Sequence, residues 1–328
     1  MAAVDVARRD HRRADLAGSK PGAGADRQRV SAAPADPPPT LSVVLPCRNG
    51  AATIAVQLEA LARQSWHRSW ELVVVDNGST DESMHIVEGF RNRLPGLRVV
   101  DASAKRGIPA ALNEGVRASA GRLIVFTNDD DEVAEGWLAA MAAALERYDV
   151  VGGRLEYDRL NEPWAIEVRE RPQEAGLLEW GFLDYLPFAA GASLGVRREL
   201  HDAVGGFDEA MVPAAEDMDY CWRLQQAGGR IGFAADAVTH YRLRTSLRAL
   251  FRQGVGYGVG HALAYRKHRA RGLPRARHPW RRGARGWLGL VRRLPSATGK
   301  VGRGRLVWHA GLRVGLLRGS LAHRVVFL

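Results

Sequence analysis

The chain has only two cysteines, Cys47 and Cys221, and no acid at all between residues 237 and 328. Two thiols cannot build a disulfide framework or a multi-cysteine metal site, so a reducing, cytoplasmic setting is expected. Nowhere do eighteen apolar residues run uninterrupted, which excludes a membrane-spanning helix. The first residues lack the apolar core of a secretory signal, and no internal repeat is visible. In place of acid, residues 237–328 hold twenty-one Lys/Arg. Residues 1–39 hold seven Lys/Arg against five acids, and the whole chain totals +11, so residues 40–236 carry a net −12. An acidic body with a strongly basic tail is drawn to an anionic partner, either nucleic acid or the negative surface of a cytoplasmic leaflet. Charge alone does not choose between them.

At 328 residues and 46% hydrophobic content, the chain has material for one large domain or two small ones. Residues 1–39 are rich in Ala, Arg, Asp and Pro and finish in Pro37-Pro38-Pro39. Such a composition buries too little apolar surface to offset its conformational entropy, so a disordered leader is expected. Leu41-Ser42-Val43-Val44-Leu45-Pro46 then reads as a buried parallel strand. Ile54, Leu58 and Leu61 at helical spacing predict a helix from about Ala52 to Gln64. Strands are expected at Trp70–Asp76, Leu97–Asp101, Leu123–Phe126 and Val150–Arg154, with helices between them at Glu82–Arg93, Pro109–Ala118 and Gly136–Tyr148. This alternation predicts βαβ units and a mostly parallel sheet flanked by helices, an α/β fold.

Residues 155–200 break the rhythm, and their aromatics Trp164, Trp180, Phe182, Tyr185 and Phe188 suit a substrate-facing excursion. A further helix is expected at Glu216–Gln226, closed by Gly228-Gly229. Gly254, Gly256, Gly258 and Gly260 follow no apolar strand, so close helix packing is expected of them rather than a dinucleotide loop. Within Arg305–Leu328, Arg305, His309 and Arg313 recur every four residues, with Leu306, Leu312, Leu316 and Leu317 elsewhere around the helix. That pattern predicts an amphipathic helix lying on a membrane surface.

Two acidic clusters carry the candidate chemistry. Asn128-Asp129-Asp130-Asp131 follows the strand at Leu123–Phe126, at the edge where open α/β sheets bind ligands. Paired carboxylates there can hold a hard divalent cation, which in turn bridges the oxygens of a diphosphate. The plainer reading is a solvated acidic cap on the next helix. Glu216-Asp217-Met218-Asp219 supplies either a general base or simply the polar first turn of its helix. Asp76, beside Gly78 and Ser79, is placed to hydrogen-bond a nucleobase or ribose, or to cap the helix that follows. His240 is either a metal or diphosphate contact or a hydrogen-bonded core residue.

Five motifs occur in the order and spacing of family 2 glycosyltransferases: Leu41 to Asn49, Val73 to Asp81, Phe126 to Asp131, Gly205-Gly206-Phe207-Asp208-Glu209, and Glu216 to Asp219. Residues 41–265 resemble that family. The resemblance implies a GT-A fold, a nucleotide-diphosphate-sugar donor, a Mg2+ or Mn2+ ion, and inversion by single displacement. It implies that Pro46, Arg48, Asn49, Asp76 and Arg106 surround the nucleotide sugar and that Asp129 approaches the ribose. Asp130 would ligate the metal, with His240 as a further contact. Asn128 stands where the family most often has Asp, so a shift of the metal to Asp129 and Asp131 stays open. Asp217 matches the general base, with Glu216 orienting it or the acceptor, and the aromatics from Trp164 to Phe188 would shape the acceptor site. Processive members carry a Gln-x-x-Arg-Trp segment that Phe251-Arg252-Gln253-Gly254 does not match, which implies one sugar per encounter.

The expected division is a leader at 1–39, a GT-A domain at 40–265 and a basic amphipathic extension at 266–328. The expected activity is transfer of a sugar to the hydroxyl of a glycan or lipid-linked acceptor, in cell-envelope or other glycoconjugate synthesis. The expected location is cytoplasmic, peripheral at the inner face of the plasma membrane through the basic extension. Two rivals are a metal-dependent nucleotidyltransferase and a nucleic-acid-binding protein acting through its tail. An acidic body without a recognition motif opposes the second, and no nucleic acid is expected.

Overall fold

Leu41–Cys47 (β1) buries side chains on both faces, as its mostly apolar run predicts, because helices cover each side of the sheet. The computed structural model describes residues 39–181 and 183–328. The expected leader lies outside the described residues, Pro39 apart, and so does Phe182. After β1 come α1 (Ile54–Ala62), β2 (Trp70–Asp76), α2 (Ser83–Glu88), β3 (Arg98–Asp101), α3 (Ile108–Ala118) and β4 (Leu123–Phe126). They follow the expected alternation, with one difference: α2 stops five residues early, where Gly89 caps it. Next are β5 (Glu132–Val133), α4 (Trp137–Arg147), β6 (Val150–Glu156), α5 (Pro163–Arg169), β7 (Leu194–Arg197), α6 (Arg198–Val204), α7 (Glu216–Gln226) and β8 (Ile231–His240). Three longer helices close the chain: α8 (Leu247–Arg269), α9 (Pro279–Arg293) and α10 (Lys300–Ala322).

The strands form one sheet in the order β3-β2-β1-β4-β7-β6-β8-β5. β3, β2, β1 and β4 are parallel, β7 runs antiparallel between β4 and β6, and β8 is parallel to β6. Strand order reverses at β1 and β4, and ligands of open α/β sheets bind in the crevice at such a reversal. Alternate residues sort the core: Leu41, Val43 and Leu45 face α1 and α4, while Val44, Val73 and Val75 face α3 and α7.

Three of the aromatics of the 155–200 excursion pack inward, against α7. Trp180, Tyr185 and Phe188 stack edge-on around Trp222 of α7, at centroid distances of 5.2, 5.0 and 6.2 Å. Trp222 and Trp180 are buried in the core under α8, and Tyr185 and Phe188 are half-buried against it.

The expected boundary between 265 and 266 falls inside α8, and no division separates the described residues. α10 packs along α8, and glycines make the contact. A Cβ added at Gly254 would lie 2.7 Å from the Trp308 carbonyl oxygen, and one at Gly258 would lie 2.6 Å from the Gly315 carbonyl carbon. This bears out close helix packing for Gly254 and Gly258, whereas Gly256 and Gly260 face Pro213 and Ala214 in the loop before α7. It also corrects the surface-lying helix expected at Arg305–Leu328: α10 buries Gly304, Gly311, Gly315, Leu316 and Gly319, and Arg305 donates to the Glu167 carbonyl at 2.9 Å. Gly258→Ala gains about 1 kcal/mol of helix propensity, but the atoms it would meet, from Leu312, Gly315 and Leu316, are all backbone and cannot yield. A net loss of about 2 kcal/mol is expected from such overpacking, read as a lower urea midpoint. A midpoint at or above wild type would refute the packing. No helix among the described residues is long and apolar enough to cross a membrane.

Candidate active site

The chain leaves β1 at Cys47 and turns into α1 through Arg48-Asn49-Gly50, with Asn49 in the left-handed region at φ 55°. The carboxamide oxygen of Asn49 accepts from the Thr80 amide (2.8 Å), and the Asn49 amide donates to Ser79 Oγ (3.1 Å). Asp76 accepts from the Ser79 amide (2.8 Å) and Asp81 from the Ala51 amide (3.1 Å). The loops after β1 and β2 are therefore tied to each other. Asn49, expected among the nucleotide contacts, has its carboxamide oxygen committed to this tie. Pro46 is half-buried in register with Val75, and Arg48 is exposed at the mouth. Asn77 orders the loop after β3 by donating to the carbonyls of Ala102 (2.8 Å) and Lys105 (3.0 Å) and accepting from the Gly107 amide (2.8 Å). That loop presents Arg106, which is exposed. Pro46, Arg48, Asn49, Asp76 and Arg106 thus gather at the C-terminal ends of adjacent parallel strands.

The acidic loop after β4 is built by a residue the sequence did not flag. Gln57, fully buried on α1, donates to Thr127 Oγ1 (2.8 Å) and the Asn128 carbonyl (3.1 Å) and accepts from the Val133 amide (2.9 Å). It spans the loop from end to end. Asp129 points under the β1–α1 turn, against Cys47 and the Arg48 amide. Gly50 leaves room for it, since an added Cβ would lie 3.1 Å from Asp129 Cγ. Burial, then the charge of Asp130, pushes Asp129 up to about 6. Burial likewise pushes the Cys47 thiol up to about 12, with Asp129 adding to it, so this cysteine is no nucleophile.

Asp130 pairs with Arg244 at 2.9 Å, and its backbone carbonyl accepts from Arg242 Nε at 2.8 Å. Asp131 is fully buried, with one oxygen on the Arg242 amide (2.8 Å) and the other on Asn128 Nδ2 (2.9 Å). Each of its oxygens already accepts one hydrogen bond, so an ion shared by Asp129 and Asp131 would have to use the remaining lone pairs of Asp131. Asp129, against Cys47 and the Arg48 amide, and Asp130, paired with Arg244, are two adjacent hard oxygen donors, the chemistry that suits Mg2+ or Mn2+. Among the described residues, no group of three His, Cys, Asp or Glu side chains is gathered to hold an ion. Further ligands would have to come from the diphosphate and water.

His240 does not join these acids. Its Nδ1 is 2.5 Å from Glu156 Oε2, and with Ala60, Arg63, Glu132 and Arg159 it lines a separate cavity. Its register opposite Glu132 and Glu156 explains the difference. Arg242 and Arg244, two and four residues further on, reach the acidic loop instead. Their only mark in the sequence is position, just past a strand in the acid-free segment.

Antiparallel pairing carries the second acidic cluster to the first. β7 opposes β4 with Leu194 beside Phe126, so the 3-10 turn Gly191–Ser193 packs against the end of β4, where the 128–131 loop begins. The Gly191 amide donates to Asp217 Oδ2 at 3.2 Å, and the Met218 amide donates to Oδ1 at 2.7 Å. Asp217 therefore sits in the first turn of α7, held by two amides. Burial, and then the charge of Asp217, pushes Glu216 up to about 8; burial raises Asp217 as well. Two partly buried carboxyls side by side hold one negative charge more readily than two.

Residues 42–205 match the model of the family described as Glycosyl transferase family 2. The chain is 28% identical over 224 residues to the glycosyltransferase AglE of Haloferax volcanii, covering 66% of this chain and 73% of that one. It is also 28% identical over 233 residues to the pre-mycofactocin glycosyltransferase of Mycobacterium tuberculosis, but spans only 46% of that protein's length. A solved structure of similar fold is the mannosyltransferase PcManGT from Pyrobaculum calidifontis in complex with GDP-Man and Mn2+, with a TM-score of 0.60 and 21% identity over 87% of this chain and 88% of that one. The family model covers half of the chain, and the sheet with its crossing helices is the GT-A arrangement of that neighbour. The chain belongs to glycosyltransferase family 2.

Proposed function

We propose that this protein moves one sugar per encounter from a nucleotide-diphosphate-sugar donor to an acceptor hydroxyl, with inversion at the anomeric carbon. The observation that carries this reading is the Gly191 amide on Asp217, which brings a carboxylate of raised pKa to the sheet edge where Asp129 and Asp130 lie. Asp76, Pro46, Arg48 and Arg106 surround the nucleotide, Asp129 would meet its ribose only by turning out from under the β1–α1 turn, and Asp130 would hold the divalent ion. A bound ion would offset the charge that develops on the departing diphosphate. Asp217 takes the proton of the acceptor hydroxyl, and Glu216 orients the pair. GDP-Man and Mn2+ in the mannosyltransferase of the same fold are in keeping with such a donor and ion. The acceptor is a glycan or lipid-linked hydroxyl in envelope or other glycoconjugate synthesis. The enzyme works in the cytoplasm, its basic C-terminal segment resting on an anionic membrane surface.

Asp130→Ala is expected to remove the Mn2+-dependent part of donor binding, a loss of at least about 100-fold in metal affinity. Calorimetry of the donor with and without Mn2+ measures it. Equal affinities in the variant and wild type would remove Asp130 from the site. The released product separates the nucleotidyltransferase alternative, since sugar transfer yields nucleoside diphosphate and nucleotidyl transfer yields pyrophosphate.

A further inference from the structure

α9 joins the fold by a narrow face. Gly283 and Leu290 are its buried residues, an added Cβ at Gly283 would lie 2.9 Å from Leu328 Cβ, and Gly286 lies against the Arg313 guanidinium of α10. At about 3.6 residues per turn, Trp280, Ala284, Trp287, Leu288 and Val291 share another side of this helix, and all are exposed. The exposure is large for such side chains: 69% for Trp280, 59% for Val291 and 57% for Leu294 just past the helix. Arg281, Arg285 and Arg292 are exposed on the adjoining flank. A helix thus presents an outward apolar stripe with two tryptophans and a basic rim, which is the composition of a segment lying in the interface of an anionic bilayer.

We infer that α9, not α10, is the element that seats this protein on an anionic lipid leaflet. Its apolar stripe enters the boundary between headgroups and acyl chains, and Arg281, Arg285 and Arg292 meet lipid phosphates. This deepens the membrane contact proposed above and rests on it. Charge argues for lipid over a second copy of the chain. Residues 237–328 carry twenty-one Lys/Arg and no acid, so two such faces repel each other while an anionic surface attracts each. The crowding of Arg282, Arg293 and Arg313 between α9 and α10 adds to that positive potential; burial, and then the charge of Arg293, lowers Arg313.

The test is flotation of the full chain with phosphatidylcholine vesicles, with and without phosphatidylglycerol. The wild type is expected to float with the anionic vesicles and poorly with the neutral ones. W280E/W287E is expected to lose vesicle partitioning by about tenfold or more while its circular dichroism and donor affinity match wild type. Arg281→Glu with Arg285→Glu and Arg292→Glu is expected to erase the preference for anionic lipid. Undiminished flotation of W280E/W287E would overturn the assignment to α9 and leave the membrane contact standing. Failure of the wild type to float would overturn both. A wild-type dimer in sedimentation velocity that W280E/W287E makes monomeric would assign the face to a second copy instead, as salt-sensitive DNA binding lost in the same variant would assign it to nucleic acid.

Discussion

Asp217→Asn is expected to leave the nucleotide sugar bound and to slow transfer by about 10²- to 10⁴-fold, the range that a positioned general base contributes. Asparagine keeps the shape and still accepts from the Met218 amide, so circular dichroism should be unchanged. The pH dependence sharpens the test. Burial and the charge of Asp217 push Glu216 up to about 8, and burial raises Asp217 as well. A base acts only when ionised, so wild-type transfer should fall as pH drops through the raised titration of Asp217. That acid limb should vanish in Asp217→Asn. Glu216→Gln should keep the acid limb and lose any change in rate near pH 8. Full turnover by Asp217→Asn, measured as nucleoside diphosphate released, would remove the residue from the chemistry.

The elements that the sequence reveals are those whose residues are decided locally. β1 and β2 are mostly apolar runs buried on both faces, and α7 begins and ends where its acids and Gly228 indicate. β5 and β7 are different. β5 has two residues and β7, Leu194–Arg197, holds a glycine and an arginine where β4 is wholly apolar, so they become strands only through pairing with β8, β4 and β6. The same division runs through the site. Both acidic clusters are legible, but the direction of each carboxylate depends on partners distant in sequence. Asp131 is claimed by the Arg242 amide, and His240 turns to Glu156 because β8 pairs there. Gln57 sits on the helix face marked by Ile54, Leu58 and Leu61, where it looks like a lapse in the apolar pattern. α10 misleads for another reason: hydropathy gives glycine little weight, yet glycines let its backbone approach α8 and thereby fix which side is buried.

Asp219→Ala is expected to lower stability by about 3–5 kcal/mol, because it strands buried cations rather than deleting a surface pair. Asp219 is fully buried and bonds to Arg223 Nε (2.8 Å), Lys267 Nζ (2.6 Å) and His268 Nε2 (2.8 Å), while Lys267 also reaches Asp208 of the glycine-phenylalanine motif (2.6 Å). Burial alone would raise its pKa, but His268, Arg223 and Lys267 hold the carboxyl well below the usual range. A depressed native pKa contributes stability that is fully present above the unfolded value of about 4 and disappears as pH falls through the native one. Urea midpoints of wild type and Asp219→Ala should therefore differ most at neutral pH and converge in acid. Lys267→Met is the control: Asp219 keeps Arg223 and His268, so the loss should be smaller. The same bonds tie the first turn of α7 to α8, and Asp217 lies in that turn two residues away. Transfer by Asp219→Ala should then fall even at temperatures where the variant is fully folded, because the base is no longer held against the Gly191 amide. Wild-type stability in Asp219→Ala would mean that desolvation of this cluster cancels its attraction, and a loss of transfer would then report the position of α7 alone.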